Sequence, residues 1–206
     1  MRRQVGLAMV VVALTALGGC PAKTPPRRPP PAPLPAADAA ALGAALRQGG
    51  LVLFLRHAAS EAGAEQRVVL DDCATQRALS ASGRAQAEAI GAAARSQRIP
   101  IGAVRSSPYC RAADTARLAF GHLLLDDDLL PLSAGHASQH LAAVRRLLGT
   151  PPLPGRNTVL VGHGDTIEKL AGAELDEGEA LVVRPAPGGG AFQLVGRLRA
   201  EQWAQL

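Results

Sequence analysis

The chain has 206 residues, 48% of them hydrophobic, and a formal net charge of +5. Five of its basic residues precede residue 36 and all 17 acidic residues follow it, so the remaining 17 basic residues balance the acidic ones. A neutral balance beyond residue 36 argues against a nucleic-acid-binding surface, and the length suits one domain with short appendages.

The first 20 residues have the organisation of an export signal. Arg2 and Arg3 precede an apolar stretch over residues 5–17, which is too short to cross a bilayer comfortably. The small residues before Cys20 resemble a bacterial lipoprotein processing site, which predicts a signal peptide over residues 1–19 and a lipid on Cys20. Pro21 is not acidic, which favours an anchor in the outer membrane, on the periplasmic side of the cell envelope. The alternative is an ordinary cleaved signal with an incidental cysteine.

A proline-rich segment follows over residues 20–36. Repeated prolines lack amide donors and hold an extended polyproline II path. This segment is predicted to be a semi-rigid tether between the membrane and a domain over residues 37–206.

Helical and strand patterns alternate through that domain. Asp38 is predicted to open the first helix, and Ser80 begins the second. The predicted helices cover residues 38–48, 80–97, 111–119, 139–148 and 165–171. The predicted strands cover residues 51–55, 101–106, 123–125, 158–161, 180–184 and 192–198. This alternation predicts a three-layer α/β/α sandwich with a mostly parallel sheet.

Three predicted strands lead into turns that carry a cation or an imidazole: Arg56 with His57, Arg111, and His163. If these strands are neighbours in one sheet, the four side chains converge at its carboxyl edge, where open α/β sheets bind ligands. Guanidinium groups match phosphate oxygens bidentately, and a neutral imidazole is a nucleophile. The pattern therefore predicts a phosphoryl-binding pocket.

The segments around these residues resemble the histidine phosphatase superfamily, whose fold is phosphoglycerate mutase-like. The matching segments are residues 55–58, 106–116 and 161–164, in the family's order and spacing. The resemblance implies that His57 is the catalytic nucleophile that becomes phosphorylated. It also implies that Arg56, Arg111 and His163 bind the phosphoryl group, and it requires no cofactor.

The proton donor is less evident, because Pro131 lies where the mutase-like branch carries a glutamate. Asp165 is a candidate acid, and the alternative is that it caps the following helix. Asp127 and Asp128 are further candidates, although a run of charges is usually a solvated turn.

Cysteine and histidine spacing gives two more expectations. Cys73 and Cys110 are an even pair in a protein expected to be exported, which favours a disulfide over two buried thiols. His136 and His140 have a spacing that can seat zinc, but no third ligand is recognisable, so no metal site is expected.

These observations predict a phosphatase that hydrolyses a small phosphomonoester or phosphohistidine through an intermediate on His57. Its partners would be that substrate and the membrane bound by the lipid on Cys20. The alternative is a non-catalytic envelope lipoprotein that binds a phosphorylated ligand.

Overall fold

The computed structural model describes residues 36–65, 67–172 and 174–206. The predicted signal peptide, the lipid site at Cys20 and the tether up to residue 35 lie outside the described residues. Among the described helices, none combines the length and the apolar character needed to cross a membrane.

A six-stranded sheet forms the centre of the domain. Its strands are β1 (Val52–Arg56), β2 (Ile101–Ser106), β3 (Leu124–Leu125), β4 (Asn157–Gly162), β5 (Ala180–Pro185) and β6 (Phe192–Leu198). Their order across the sheet is β3-β2-β4-β1-β5-β6. The first four strands in this order pair in parallel, whereas β5 pairs antiparallel with both β1 and β6. The sheet is therefore mostly parallel, as predicted.

The described residues form five α-helices: α1 (Ala36–Gln48), α2 (Ala81–Ser96), α3 (Cys110–Phe120), α4 (Ala137–Leu148) and α5 (Gly164–Ala171). α1 precedes β1, and each of the other four connects one strand to the next. The start of α2 agrees with the prediction, because the Ser80 side chain accepts a hydrogen bond from the amide of Gly83 as its N-cap. Asp38 does not open the first helix as predicted. It lies within α1, whose first described residue is Ala36.

Helices cover both faces of the sheet. Alternate residues of a strand point to opposite faces, so each strand contributes side chains to both layers. Leu53 and Leu55 of β1 pack in a core with apolar residues of α1, α2 and α3. Val52 and Phe54 pack on the other face with residues of α4 and α5. All four side chains are buried, which explains why β1 is an uninterrupted apolar run. The predicted three-layer α/β/α sandwich is confirmed.

The last residues form an element that sequence patterning missed. A 3₁₀ helix, Ala200–Gln205, packs against α2 and buries Trp203 in the core shared with α1. Such a short turn has no helical periodicity of its own, so its position is set by the burial of one large side chain.

Candidate active site

The sheet order brings the predicted site residues to one edge. Strands β2, β4 and β1 are parallel neighbours, so their carboxyl ends lie side by side. β1 ends at Arg56 and continues into His57, and β4 is followed by His163. β2 leads through a short loop into α3, whose first turn carries Arg111. These four residues line one cleft of about 360 Å³.

The hydrogen bonds of His57 define its tautomer. The ring Nδ1 lies 2.9 Å from the carbonyl oxygen of Ala58, which can only accept, so Nδ1 carries the proton. Arg111 Nε donates to His57 Nε2 over 3.1 Å, so Nε2 holds the lone pair. The imidazole is thus neutral, with its nucleophilic nitrogen on the side of a guanidinium.

Burial keeps His57 in this neutral form. Its side chain is 3% exposed, and desolvation lowers its pKa to about 3, with smaller contributions from the charges of Arg111 and Arg56. The carbonyl of Ala58 opposes this shift of the pKa. His57 therefore needs no deprotonation before it attacks at neutral pH.

The same shift predicts a loss of stability in acid. Between pH 6.5 and about 3 the unfolded chain binds a proton at His57 and the folded chain does not. The penalty is absent well above pH 6.5, grows as the pH falls below that value, and lowers the free energy of unfolding by about 2 kcal/mol at pH 5. Urea unfolding of the parent and of His57→Asn at pH 7 and pH 5 measures it. We expect a smaller drop in unfolding free energy for the variant; equal drops would show that His57 charges freely in the folded state.

His163 faces His57 across the cleft. The two ring centroids are 5.4 Å apart, and His163 Nε2 lies 3.0 Å from Ser107 Oγ. The Tyr109 ring contacts His163 edge-on at a centroid distance of 5.1 Å. Burial, followed by the charge of His57, lowers the pKa of His163 well below its usual value. The ring is therefore fixed on two sides, and an anion entering the cleft would favour its protonated form.

Arg111 is held by three partners. In addition to the bond with His57, its Nη1 forms an ion pair of 2.8 Å with Glu65 Oε1. Its guanidinium carbon lies 4.7 Å from the centre of the Tyr109 ring. Burial lowers the pKa of Arg111 and the charge of Glu65 raises it, but a guanidinium remains protonated. Arg111 is thus a fixed cation beside the nucleophile.

The Cys73–Cys110 disulfide connects the long loop over residues 59–79 to the start of α3. The two Cα atoms are 5.8 Å apart, and Cys110 directly precedes Arg111. The Gln76 side chain accepts a hydrogen bond from the Cys110 amide, which adds a second link between loop and helix. The bridge thus anchors the loop that carries Glu65 next to the cation that Glu65 contacts.

Arg56 also lines the cleft. Its Nη1 donates to the carbonyl of Leu175 over 2.6 Å, and its Nη2 lies 3.9 Å from Glu177 Oε1. Its Nε is buried and has no hydrogen-bond partner among the described residues. A Cβ at Gly164 would approach the Arg56 guanidinium to 3.3 Å, so glycine after His163 leaves room for this side chain. A donor reserved for a ligand is consistent with phosphate binding.

Asp165 lines the cleft, but it is not the N-cap of α5, which is His163. Its carboxylate accepts hydrogen bonds from the amide of Leu132 over 2.9 Å and from the Thr166 hydroxyl over 3.3 Å. Asp127 and Asp128 lie in a 3₁₀ turn, where Asp128 pairs with Arg146. Of the three candidate acids, the described structure therefore places Asp165 in the cleft.

Sequence reasoning missed four carboxylates: Glu65, Glu168 and Glu174 line the cleft, and Glu177 contacts Arg56 and His57. Glu65 and Glu177 make the contacts that hold the site residues. Ser60 donates to Glu177 Oε1 over 2.8 Å, and the same oxygen lies 3.8 Å from His57 Nδ1. Neither Glu65 nor Glu177 belongs to a periodic element or to a recognisable motif, so no local signal could have identified them. Ser60 thus holds Glu177 near the nucleophile.

His136 and His140 lie away from this chemistry. His136 has φ of 53° and precedes α4 as its N-cap residue, and His140 lies within that helix. Within residues 36–65, 67–172 and 174–206, no group of three or more histidine, cysteine or acidic residues is arranged to hold a metal ion.

Comparison with known proteins agrees with this geometry. Residues 52–135 match the model of the histidine phosphatase superfamily (branch 1). No curated protein sequence matches the chain significantly.

Solved structures share the fold at low sequence identity. The protein histidine phosphatase SixA, complexed with tungstate, is 14% identical with a TM-score of 0.53, covering 73% of this chain and 97% of its own. A mycobacterial glucosyl-3-phosphoglycerate phosphatase, complexed with inorganic phosphate, is 19% identical with a TM-score of 0.53, covering 77% and 100%. A mutant phosphoserine phosphatase from Entamoeba histolytica, complexed with phosphoserine, is 15% identical with a TM-score of 0.51, covering 74% and 98%. The family match over residues 52–135 agrees with the resemblance predicted from the sequence, and the solved structures show that the fold is shared.

Proposed function

We propose that this protein is a phosphatase that forms a phosphohistidine intermediate on His57. The observation that carries this proposal is the unprotonated Nε2 of His57, which lies 3.1 Å from a buried guanidinium nitrogen of Arg111. A neutral nucleophile beside a fixed cation is the arrangement that attack on a phosphoryl group requires.

In the first step, the substrate phosphoryl group enters the cleft between Arg56, Arg111 and His163. Arg111 Nε turns from His57 Nε2 to a phosphate oxygen, which frees the lone pair for in-line attack. Nε2 forms a bond to phosphorus as the bond from phosphorus to the leaving oxygen breaks. The two guanidinium groups and His163 stabilise the charge on the equatorial oxygens.

In the second step, water attacks the phosphohistidine, the N–P bond breaks, and inorganic phosphate leaves with His57 again neutral. The proton from water passes to a carboxylate in the cleft. The substrate class proposed is a small phosphomonoester or a phosphohistidine. It is supported by the solved relatives, one described as a protein histidine phosphatase and another as complexed with phosphoserine.

Hydrolysis of an activated aryl phosphate by the purified full-length protein tests this function. We expect release of phenol and phosphate with saturation kinetics and competitive inhibition by inorganic phosphate. The alternative, a non-catalytic phosphate-binding lipoprotein, predicts that phosphate binds in calorimetry and that no ester is hydrolysed.

Asp165 is proposed as the proton donor to the leaving oxygen, because it is the predicted acid that lines the cleft with both histidines. The Asp165→Asn variant should lose about 100-fold in kcat for an alkyl phosphate but less than about fivefold for 4-nitrophenyl phosphate, whose leaving group needs little protonation. Steady-state kinetics with both esters measures the difference. Asp114→Asn, an exchange on α3 at the surface ion pair with Arg117, is the matched control. Equal losses for the two esters would assign Asp165 a positioning role instead.

We further propose that Cys20 carries the lipid and that the tether holds the catalytic domain on the periplasmic side of the envelope. The support is the sequence of residues 1–36 alone. Metabolic labelling with a fatty acid should mark the parent and leave Cys20→Ser unlabelled and released from membranes. An unlabelled parent would contradict lipidation.

A further inference from the structure

A second hollow of about 450 Å³ adjoins the catalytic cleft. It shares Glu65 and Ser133 with the cleft, so the two form one continuous depression. Its other described lining residues are mostly apolar: Val68, Leu70, Tyr109, Leu130 and Ala134. We call this hollow the apolar groove. A volume of this size suits a small molecule rather than a polypeptide.

Tyr109 lines the apolar groove and contacts two residues of the phosphate cleft. Its ring contacts His163 and Arg111 of the phosphate site while also lining the apolar groove. A substrate whose phosphoryl group is held by Arg111 can therefore extend past this ring into the groove.

The groove is held in shape by identifiable contacts. The Gln76 side-chain amide donates to the carbonyls of Val69 and Leu70, while its oxygen accepts from Cys110. On the opposite side, the amide of Leu132 donates to Asp165. Leu70 remains 37% exposed although its backbone is fixed, which leaves apolar surface available to a ligand.

Among the described residues, basic side chains line the phosphate cleft but not the apolar groove. Arg56, Arg77 and Arg111 line the cleft together with the carboxylates of Glu65, Asp165, Glu168 and Glu174. Glu65 is the one charged side chain among the described residues that line the groove. A ligand that extends from the phosphate site into the groove thus meets apolar surface and the carboxylate of Glu65, which is paired with Arg111. No cation among the described residues lines the groove to pair with a second anion.

From these observations we propose that the apolar groove binds the leaving group of the substrate. The substrate class is a phosphate monoester with an apolar or aromatic alcohol component that carries no second negative charge. This inference rests on the proposed function and specifies its substrate.

Leu130→Ser tests the apolar part of the proposal in the full-length protein. We expect kcat/KM for 1-naphthyl phosphate to fall about tenfold and that for glycerol 2-phosphate to stay within about twofold, because the smaller ester does not reach the groove. Glycerol 2-phosphate turnover also reports whether the variant is folded. Leu153→Ser is the matched control. Leu153 is 71% exposed and is not among the described residues that line the groove. This variant should change kcat/KM for neither ester.

The charge component has its own readout. The parent should prefer glycerol 2-phosphate to 3-phosphoglycerate, because the latter carries a carboxylate. In Glu65→Gln, the kcat/KM for 3-phosphoglycerate divided by that for glycerol 2-phosphate should rise at least fivefold. An unchanged ratio, or equal losses for both esters in Leu130→Ser, would overturn the inference. If the parent hydrolyses naphthyl and glycerol esters equally well, the inference fails alone; if it hydrolyses neither, the proposed function fails with it.

Discussion

Replacing His57 with asparagine should lower kcat for 4-nitrophenyl phosphate by on the order of 10⁴-fold or more. Asparagine retains a polar side chain that can accept from Arg111, but its amide nitrogen has no lone pair available for attack on phosphorus. An activated leaving group cannot compensate for this loss of rate, because the imidazole that is removed is the group that bonds to phosphorus. Steady-state kinetics combined with a phosphate-binding titration shows whether the variant has lost the chemical step or the ability to bind phosphate. The affinity for phosphate should change by less than about tenfold.

His136→Asn is the matched control. His136 has φ of 53°, a left-handed conformation that asparagine tolerates, and its side chain is exposed. This variant should retain parental kcat and stability. Substantial turnover by His57→Asn would exclude His57 as the nucleophile, whatever the control shows.

Arg111→Lys is the second change with a large expected effect. Lysine keeps the charge but cannot donate through both an Nε and an Nη position, so it cannot contact His57 and Glu65 together. We expect kcat/KM to fall by about 10²- to 10³-fold, mainly through kcat, because the lost donors stabilise charge that develops in the transition state.

Arg117→Lys provides the comparison on the same helix. Its side chain is 56% exposed and pairs with Asp114 at the surface, so activity and stability should stay close to parental values. A loss in Arg111→Lys that appears only in KM, with kcat retained, would mean that Arg111 contributes to ground-state binding alone.

Sequence reasoning succeeded where local signals are strong. The apolar run before Arg56 predicted the bounds of β1 to within one residue, and the turn signals around Ser80 predicted the start of α2 to within one residue. Three strand ends with basic or imidazole residues were enough to predict a common edge, because parallel neighbours must share it.

The remaining features depend on contacts between segments distant in sequence. Glu65 and Glu177 reach the site from loops with no periodic pattern, and their partners are 46 and 117 residues away along the chain. The tautomer of His57 depends on the orientation of the Ala58 carbonyl and of Arg111, which only the folded backbone defines. The apolar groove likewise joins three separate segments.

The most direct test of the proposed mechanism is to trap the intermediate. Full-length protein mixed with an activated aryl phosphate should be quenched within milliseconds and digested, and the His57 peptide examined by mass spectrometry. The account predicts one acid-labile, alkali-stable phosphoryl group per chain, on His57, that forms and decays at rates consistent with turnover. Phosphate on another residue, or steady turnover in which His57 never becomes phosphorylated, would contradict it.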